Sequence, residues 1–241
     1  MPHTTLSRLA VLLGVGLLAV LAVQPAAAAT RSKARTKPKP VAATAPAAAA
    51  ATPAAKPATA QPAAALPVGQ PAPDFTLTDT DGKTWHLADL TAQHKIVVLE
   101  WFSPICPVCE AYYKQGDNGA PSRIETMQKA VGGEDLVWLD VNSGAPGHGG
   151  GDLAQNQQTR QDWHVAAPIL LDPTGATGHA FNAKRTPTIC IIAPNGQLAY
   201  RGAPEDDPIS ADMPAINFVY RAMAQLRAKQ PVTITDTLTY G

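Results

Sequence analysis

Runs of apolar residues along the chain predict three buried β-strands. Residues 96–102 form a nearly continuous apolar run that a single acid, Glu100, interrupts. Residues 136–141 and residues 169–171 form two shorter runs of the same kind. Strands covered on both faces of a sheet have this composition, whereas half-exposed strands alternate apolar and polar residues. We therefore expect a sheet whose central strands are buried on both sides.

Two turn dipeptides predict β-hairpins before and after these strands. Asp81-Gly82 follows a short strand-like segment, residues 75–78, and Asn195-Gly196 separates residues 188–192 from residues 198–201. Both dipeptides favour the tight turns that join antiparallel strands. The sequence thus predicts a leading hairpin and a second hairpin near the end of the domain.

Helical segments are predicted between and after these strands. Pro107 suits the first position of a helix, Ser122 and Glu125 have the spacing of a capping box, and residues 152–164 form a polar helical stretch. A closing helix is striped on one face by Ile216, Val219, Tyr220, Met223 and Leu226. The order of elements predicts an α/β domain over residues 67–241, with a mixed central sheet flanked by helices and a leading β-hairpin.

The chain before this domain has the features of an export signal. Arg8 is followed by an apolar run over residues 9–23, and residues 27–29 are three alanines suited to cleavage. The run has fifteen residues, fewer than the ~20 that a helix needs to cross a bilayer, which favours a cleaved signal over an uncleaved anchor. We expect a signal peptide over residues 1–29 and a periplasmic or secreted protein, in an oxidising space.

Residues 30–66 have the composition of a disordered linker rich in Ala, Pro and Lys. They carry six basic residues and no acidic one, and too few large apolar groups to form a core. The segment is either a solubilising spacer or an arm that contacts an anionic surface, and composition leaves both open. Residues 67–241 carry nineteen acidic and twelve basic residues, a balance unlike that of a nucleic-acid binder.

Cys106-Pro107-Val108-Cys109 directly follows the first buried strand and begins a helix, a placement typical of redox chemistry. The amino terminus of a helix lowers the pKa of a thiol, so we predict that Cys106 is the attacking thiolate. Cys109 lies one turn later, where it can resolve a mixed disulfide on Cys106. The alternatives are a structural disulfide and half of a metal site, but the sequence supplies no second ligand pair at metal spacing.

Two separated motifs give the chain a resemblance to a known superfamily. The sequence over residues 98–109, followed by Arg185-Thr186-Pro187-Thr188, resembles the thioredoxin-like superfamily over residues 67–230. The leading hairpin, the insert between residues 140 and 168 and the acidic run over residues 205–207 resemble its redoxin or peroxiredoxin-like branch. The resemblance implies a thioredoxin-like fold and a thiol-disulfide oxidoreductase.

The resemblance also implies roles for residues near the cysteines. Glu100 is expected to act as a general acid/base for the resolving thiol, and Pro187 to form a cis peptide that leaves the backbone of Thr186 free to pair with an extended substrate. Trp101 and Pro107 are further expected substrate contacts. The expected partners are protein thiols and disulfides and a redox protein that recycles the pair, with a monomeric chain, no cofactor and no metal.

Two other functions remain open on the sequence. Ser103 precedes Cys106 by three residues, as in thiol peroxidases with antioxidant activity, although Leu99 replaces the proline of that motif and only Arg185 or Arg160 could hold the thiolate. A copper-binding module of this fold would use a distant histidine, for which His179 is the candidate, but it spaces its cysteines by three residues rather than two.

Two remaining features have simpler interpretations. Cys190 lies on an apolar strand, where a buried hydrophobic role is expected. The Gly-rich stretch over residues 144–151 lacks the Gly-Lys-Ser/Thr of a phosphate loop and is expected beside the cysteines as a mobile loop.

Overall fold

Residues 67–207 and 216–241 are described by the computed structural model. The predicted signal peptide and linker, residues 1–66, lie outside the described residues, so both stay predictions. Within the described ranges, no helix has the length and apolar character that crossing a membrane would need.

A seven-stranded mixed sheet forms the centre of the domain. Its strands are β1 (Thr76–Asp79), β2 (Thr84–His86), β3 (Ile96–Trp101), β4 (Leu136–Asn142), β5 (Ile169–Leu171), β6 (Thr188–Ile192) and β7 (Leu198–Gly202). They lie in the order β2-β1-β5-β4-β3-β6-β7. The neighbours β3 and β4 are parallel, as are β4 and β5, and the other pairs are antiparallel. The predicted mixed sheet and both predicted hairpins are confirmed.

Six α-helices surround the sheet in the described part of the chain. They are α1 (Leu87–Ala92), α2 (Pro107–Tyr113), α3 (Arg123–Val131), α4 (Leu153–Asp162), α5 (Ala176–Ala180) and α6 (Phe218–Arg227), with one 3₁₀ turn at Asp117–Gly119. The predicted helices α2, α3, α4 and α6 are confirmed. The sequence did not indicate α1 or α5, because helices of six and five residues are too short to show a helical repeat.

Two apolar cores cover the two faces of the sheet. Side chains alternate between the faces along β3, so Val98 lies in one core and Val97 and Leu99 lie in the other. The first core is closed by α2, α3 and α6, and Glu100 shares the strand parity of Val98. This alternation therefore directs the acid of β3 toward the helix that carries the cysteines.

The amino terminus of α3 allows a test of the local structure. The backbone N–H of Glu125 donates to Ser122 Oγ at 3.1 Å, as the capping motif predicts. Replacing Ser122 with alanine should lower the free energy of unfolding by about 1 kcal/mol, because one helix N–H loses its partner. Urea unfolding of Ser122→Ala and of Ser122→Asp checks this. Aspartate can still cap the helix, so equal losses in both variants would contradict a capping role.

Candidate functional site

The cysteine pair lies at the carboxyl end of β3, where the chain enters α2. Cys106 is the residue that caps α2, Pro107 is its first helical residue, and Cys109 lies one turn further along. Cys106 is partly exposed, whereas Cys109 is buried. The structure therefore presents one thiol to solvent and holds the other beneath it.

The Cys106 sulfur is surrounded by hydrogen-bonding groups. The backbone N–H of Cys109 donates to Cys106 Sγ at 3.5 Å, and the protonated thiol donates to the carbonyl oxygen of Thr186 at 3.2 Å. Burial alone would raise the pKa of Cys106, but hydrogen bonds from the Thr186 side chain and from the backbone of Cys109 and Val108 outweigh it and lower the pKa. Cys106 is therefore the better nucleophile of the pair.

Cys109 has the opposite electrostatic environment. Its side chain is fully buried, which raises its pKa well above that of an ordinary thiol. Negative charge on Cys106 or Glu100 raises the pKa of Cys109 further. Cys109 is thus a thiol at neutral pH and needs a nearby base before it can attack a disulfide.

Glu100 faces a second buried acid, Asp140, across the parallel strands β3 and β4. Both side chains are completely buried, and the two residues are register partners. The indole N–H of Trp138 is shared between Glu100 Oε2 and Asp140 Oδ1, at 3.2 Å from each, and the Tyr113 hydroxyl donates to Asp140 Oδ2 at 3.0 Å. Burial and the charge of Asp140 raise the pKa of Glu100 well above its usual range.

The partners of Glu100 were missed by the sequence analysis, although a signal was present. Asp140 interrupts the apolar run over residues 136–141 just as Glu100 interrupts the run over residues 96–102. Two interrupted runs on adjacent strands indicate facing acids only when the register of the strands is known. The roles of Trp138 and Tyr113 had no comparable signal.

Thr186 and Pro187 lie beside the cysteines at the start of β6. The peptide bond between them is cis, as the resemblance implied. Gly241, which the sequence did not place here, also lies beside Thr186. Arg185 Nη1 donates to the Gly241 carbonyl oxygen at 3.2 Å. Gly241 lies directly against Thr186, since a Cβ added to Gly241 would fall 1.9 Å from the Thr186 oxygen.

Trp101 is in the core rather than at the surface, in contrast to the predicted substrate contact. Its side chain is 2% exposed, and its indole N–H donates to Ser143 Oγ at 3.1 Å. The Trp101 ring packs on Phe181 with the ring centroids 5.3 Å apart, and Ser143 donates in turn to buried Asp172 at 2.7 Å. Strand alternation directs this side chain away from the cysteines, so the prediction for Trp101 is corrected to a packing role.

Apolar surface surrounds Cys106. Pro107 is exposed, as a substrate contact would need, and Ile105 is 61% exposed, a large fraction for an isoleucine. No motif in the sequence marked Ile105 as part of the site. Exposed apolar side chains next to a reactive thiol provide a surface on which another polypeptide can pack.

The Gly-rich loop over residues 144–151 lies next to this surface. A Cβ added to Gly149 would fall 3.3 Å from Ile105 Cδ1, so the loop backbone approaches Ile105 closely. The buried amide of Asn142 donates to the Gly150 carbonyl at 2.6 Å and anchors the loop to the end of β4. The predicted position of the loop beside the cysteines is confirmed.

The arginines proposed for a peroxidase do not contact the Cys106 sulfur. Arg160 forms an ion pair with Asp81, and Arg185 donates to Gly241. Neither guanidinium group is among the hydrogen-bond partners of Cys106 in the described residues.

His179 and Cys190 also lie apart from the pair Cys106 and Cys109. In residues 67–207 and 216–241, no three His, Cys, Asp or Glu side chains are grouped as metal ligands, so His179 on α5 is not brought to the two cysteines. Cys190 is fully buried in β6 opposite Leu99, which agrees with the predicted role as a buried hydrophobic residue.

The unequal burial of the three thiols predicts unequal reactivity. Cys106 should react rapidly with a thiol reagent in the folded, reduced protein, with a pH midpoint below that of a free thiol. Cys109 and Cys190 should react only as the protein unfolds. Stopped-flow measurements would show one fast phase in the wild type and none in Cys106→Ser. A fast phase that survives in Cys106→Ser would contradict the assignment.

Comparisons with known proteins agree with this fold. The Redoxin family model matches residues 67–216. A hypothetical protein from Sinorhizobium meliloti 1021 is 18% identical with a TM-score of 0.62, over 74% of this chain and 93% of that chain. An uncharacterised conserved protein from Geobacillus kaustophilus is 20% identical with a TM-score of 0.57, over 71% and 88% of the two chains. No match was found among curated proteins. Because the family model spans more than half of its length, the chain belongs to the Redoxin family.

Proposed function

We propose that this chain is an exported thiol-disulfide oxidoreductase that exchanges disulfides with protein thiols through Cys106 and Cys109. Membership in the Redoxin family supports an oxidoreductase. The observation that carries the proposal is the contrast between the two thiols at the start of α2. Cys106 is accessible with a lowered pKa, and Cys109 is buried with a raised pKa.

This contrast gives each cysteine a step in the exchange. In the reduced protein the Cys106 thiolate attacks a substrate disulfide, a bond forms to one substrate sulfur, and the other leaves and takes up a proton. Cys109 then gives its proton to the Glu100 carboxylate and attacks Cys106 Sγ. The Cys106–Cys109 disulfide forms and the second substrate sulfur leaves. Two electrons pass to the substrate, and the reverse sequence oxidises a substrate dithiol.

The surface around Cys106 favours a polypeptide as the substrate. Ile105 and Pro107 provide apolar contacts next to Cys106. The backbone of Thr186 lies beside the sulfur, and an extended substrate segment would pair with it in the place that Gly241 takes in this structure. A redox partner is needed to restore the pair after each turnover. We propose that the domain acts as a monomer.

Export is the part of the proposal that rests on sequence. The apolar run over residues 9–23, followed by alanines, indicates a signal peptide, and the basic linker over residues 30–66 would tether the domain beyond it. An oxidising periplasmic or extracellular space is also where cysteines of substrate proteins form disulfides.

Thiol trapping tests the redox pair directly. In glutathione buffers of graded potential, the wild type should interconvert between a dithiol and a Cys106–Cys109 disulfide as one two-electron couple. Cys106→Ser should abolish the couple, and Cys109→Ser should accumulate a mixed disulfide on Cys106, because the resolving thiol is absent. Cys190→Ala is the matched control and should retain the couple.

The same preparations separate the proposal from its main rival. Hydrogen peroxide consumption should be negligible beside disulfide exchange. Rapid peroxide turnover in a protein that forms no reversible Cys106–Cys109 couple would overturn the proposal and favour a thiol peroxidase.

The exposed apolar surface predicts a preference for protein substrates. Ile105→Ser should lower kcat/KM for a protein disulfide by about three- to tenfold, since a side chain that packs on substrate contributes about 1 kcal/mol. The rate with a small disulfide such as oxidised glutathione should change little. Leu153→Ser, at a residue of α4 that is 48% exposed, is the control. Equal losses with both substrates would contradict a docking role for Ile105.

A further inference from the structure

We infer that Asp140 is a positioning residue for the exchange: its negative charge keeps Glu100 protonated, so that Glu100 can give a proton to Cys109 when the Cys106–Cys109 disulfide opens and recover it when the disulfide forms. The inference rests on the proposed exchange at the two cysteines. It adds to that exchange a buried acid that the sequence did not indicate.

The geometry of β3 and β4 holds the two carboxyl groups together. Glu100 and Asp140 are register partners on parallel strands, and one indole N–H, that of Trp138, lies 3.2 Å from an oxygen of each. Neither side chain is accessible to water. Two ionised carboxylates at this separation in a buried site repel each other strongly, so one proton remains on the pair at neutral pH.

The hydrogen-bond donors decide which acid carries the charge. Asp140 accepts bonds on both oxygens, from Tyr113 and from Trp138. Glu100 shares the Trp138 donor at Oε2 and is also near the Tyr113 hydroxyl, but its buried Oε1 has no hydrogen-bond partner among the described residues. A carboxylate with more donors is the more stable anion, and a buried oxygen without a donor is costly. The charge therefore lies on Asp140 and the proton on Glu100.

The surroundings of the pair contain few other groups that titrate. From α2 come Cys109 and Tyr113, from α4 the charge of Arg160 acts on Asp140, and β4 contributes the Trp138 N–H. On the other side of β3, the register partner of Glu100 in β6 is the apolar Ile189. Cys109 is therefore the group positioned to exchange a proton with Glu100.

The position of the pair suits transfer to Cys109. Cys109 and Tyr113 are four residues apart on α2, so both lie on the same buried face of the helix. Tyr113 contacts Asp140, and the charge of Glu100 acts on the Cys109 thiol. The two carboxyl groups thus lie beneath the resolving cysteine.

The proton step balances when the disulfide is reduced. A partner thiolate attacks Cys106 Sγ, a bond forms between the two sulfurs, and the Cys106–Cys109 bond breaks. Cys109 leaves as a thiolate and takes the proton of Glu100, because a buried thiolate is the stronger base. Glu100 is left as a carboxylate, which takes the proton of Cys109 when the disulfide forms again. An ordinary exposed glutamate would already be ionised at neutral pH and could not donate.

Two variants should shift the pH at which Glu100 loses its proton, in opposite directions. Asp140→Asn removes the neighbouring charge, so Glu100 should lose its proton at a pH about one unit or more lower. Trp138→Phe removes an N–H donor to the carboxylates, so Glu100 should keep its proton to higher pH. Asp172→Asn is the control, because Asp172 is also buried but is bonded to Ser143 and Gly178 instead.

The test measures Glu100 and the reaction separately in the full chain. Infrared titration follows the protonated carboxyl of Glu100, identified by its loss in Glu100→Gln. The rate at which dithiothreitol reduces the Cys106–Cys109 disulfide is measured against pH. It is divided by the rate at which dithiothreitol reduces oxidised glutathione at the same pH, which removes the ionisation of dithiothreitol itself. At a pH above the Glu100 titration of both proteins, Asp140→Asn should be about tenfold slower than the wild type, as a one-unit shift implies. The double variant with Glu100→Gln should be no slower than Glu100→Gln alone.

The outcomes distinguish this inference from the proposed function. If the wild type forms no Cys106–Cys109 disulfide, the proposed function fails and this inference fails with it. If the disulfide forms, but Glu100 titrates at the same pH in Asp140→Asn and Trp138→Phe as in the control Asp172→Asn, only the inference fails. If the rate losses of Asp140→Asn and Glu100→Gln multiply in the double variant, the two residues act independently and the inference is likewise overturned.

Discussion

The pairing of β3 with β6 is the interaction on which the site depends. Trp101, the last residue of β3, is the register partner of Thr188, and this places the loop that carries Cys106 beside Thr186. The two segments are eighty residues apart in sequence, yet Cys106 Sγ lies 3.2 Å from the Thr186 carbonyl oxygen. Both strands are buried along their whole length, so the register cannot slip without moving apolar side chains out of the cores.

The same strand carries charge into the domain interior. Glu100 has apolar neighbours on both sides along β3, and burying its carboxylate alone would be unfavourable. Hydrogen bonds from Trp138 and Tyr113 and a proton shared with Asp140 offset this cost. The free energy of burying the two carboxyl groups therefore depends on how many of them are ionised. Buried acids with this energetic cost, beneath two cysteines, are candidates for function because apolar residues alone would satisfy packing.

The helix that begins at Pro107 gives the two cysteines unequal environments. The N–H groups of its first turn point at the Cys106 sulfur, while Cys109 turns toward the core beside Tyr113. A separate segment contributes on the outer side, where Gly241 lies against Thr186 and Tyr240 bonds the hydroxyl of Tyr112 at 2.7 Å. The surface that a substrate would approach is thus formed by parts of the chain that are distant in sequence.

The sequence by itself determined the local elements and the position of the two cysteines at the start of a helix. Apolar runs, turn dipeptides and the cap at Ser122 are local signals, and they located the strands, both hairpins and the longer helices. The motif at Cys106 and Cys109 is also a local signal, because Pro107 indicates that a helix begins there. Short helices such as α5 were missed, since five residues contain too little of a repeat.

Only the tertiary structure decided which side chains meet. The direction of Trp101 into the core follows from strand parity relative to neighbours that the sequence does not specify. The meeting of Glu100 with Asp140 follows from the register of two strands, and that of Thr186 with Gly241 from long-range packing. Local sequence fixes backbone preference, whereas contacts across the sheet depend on how distant segments share one core.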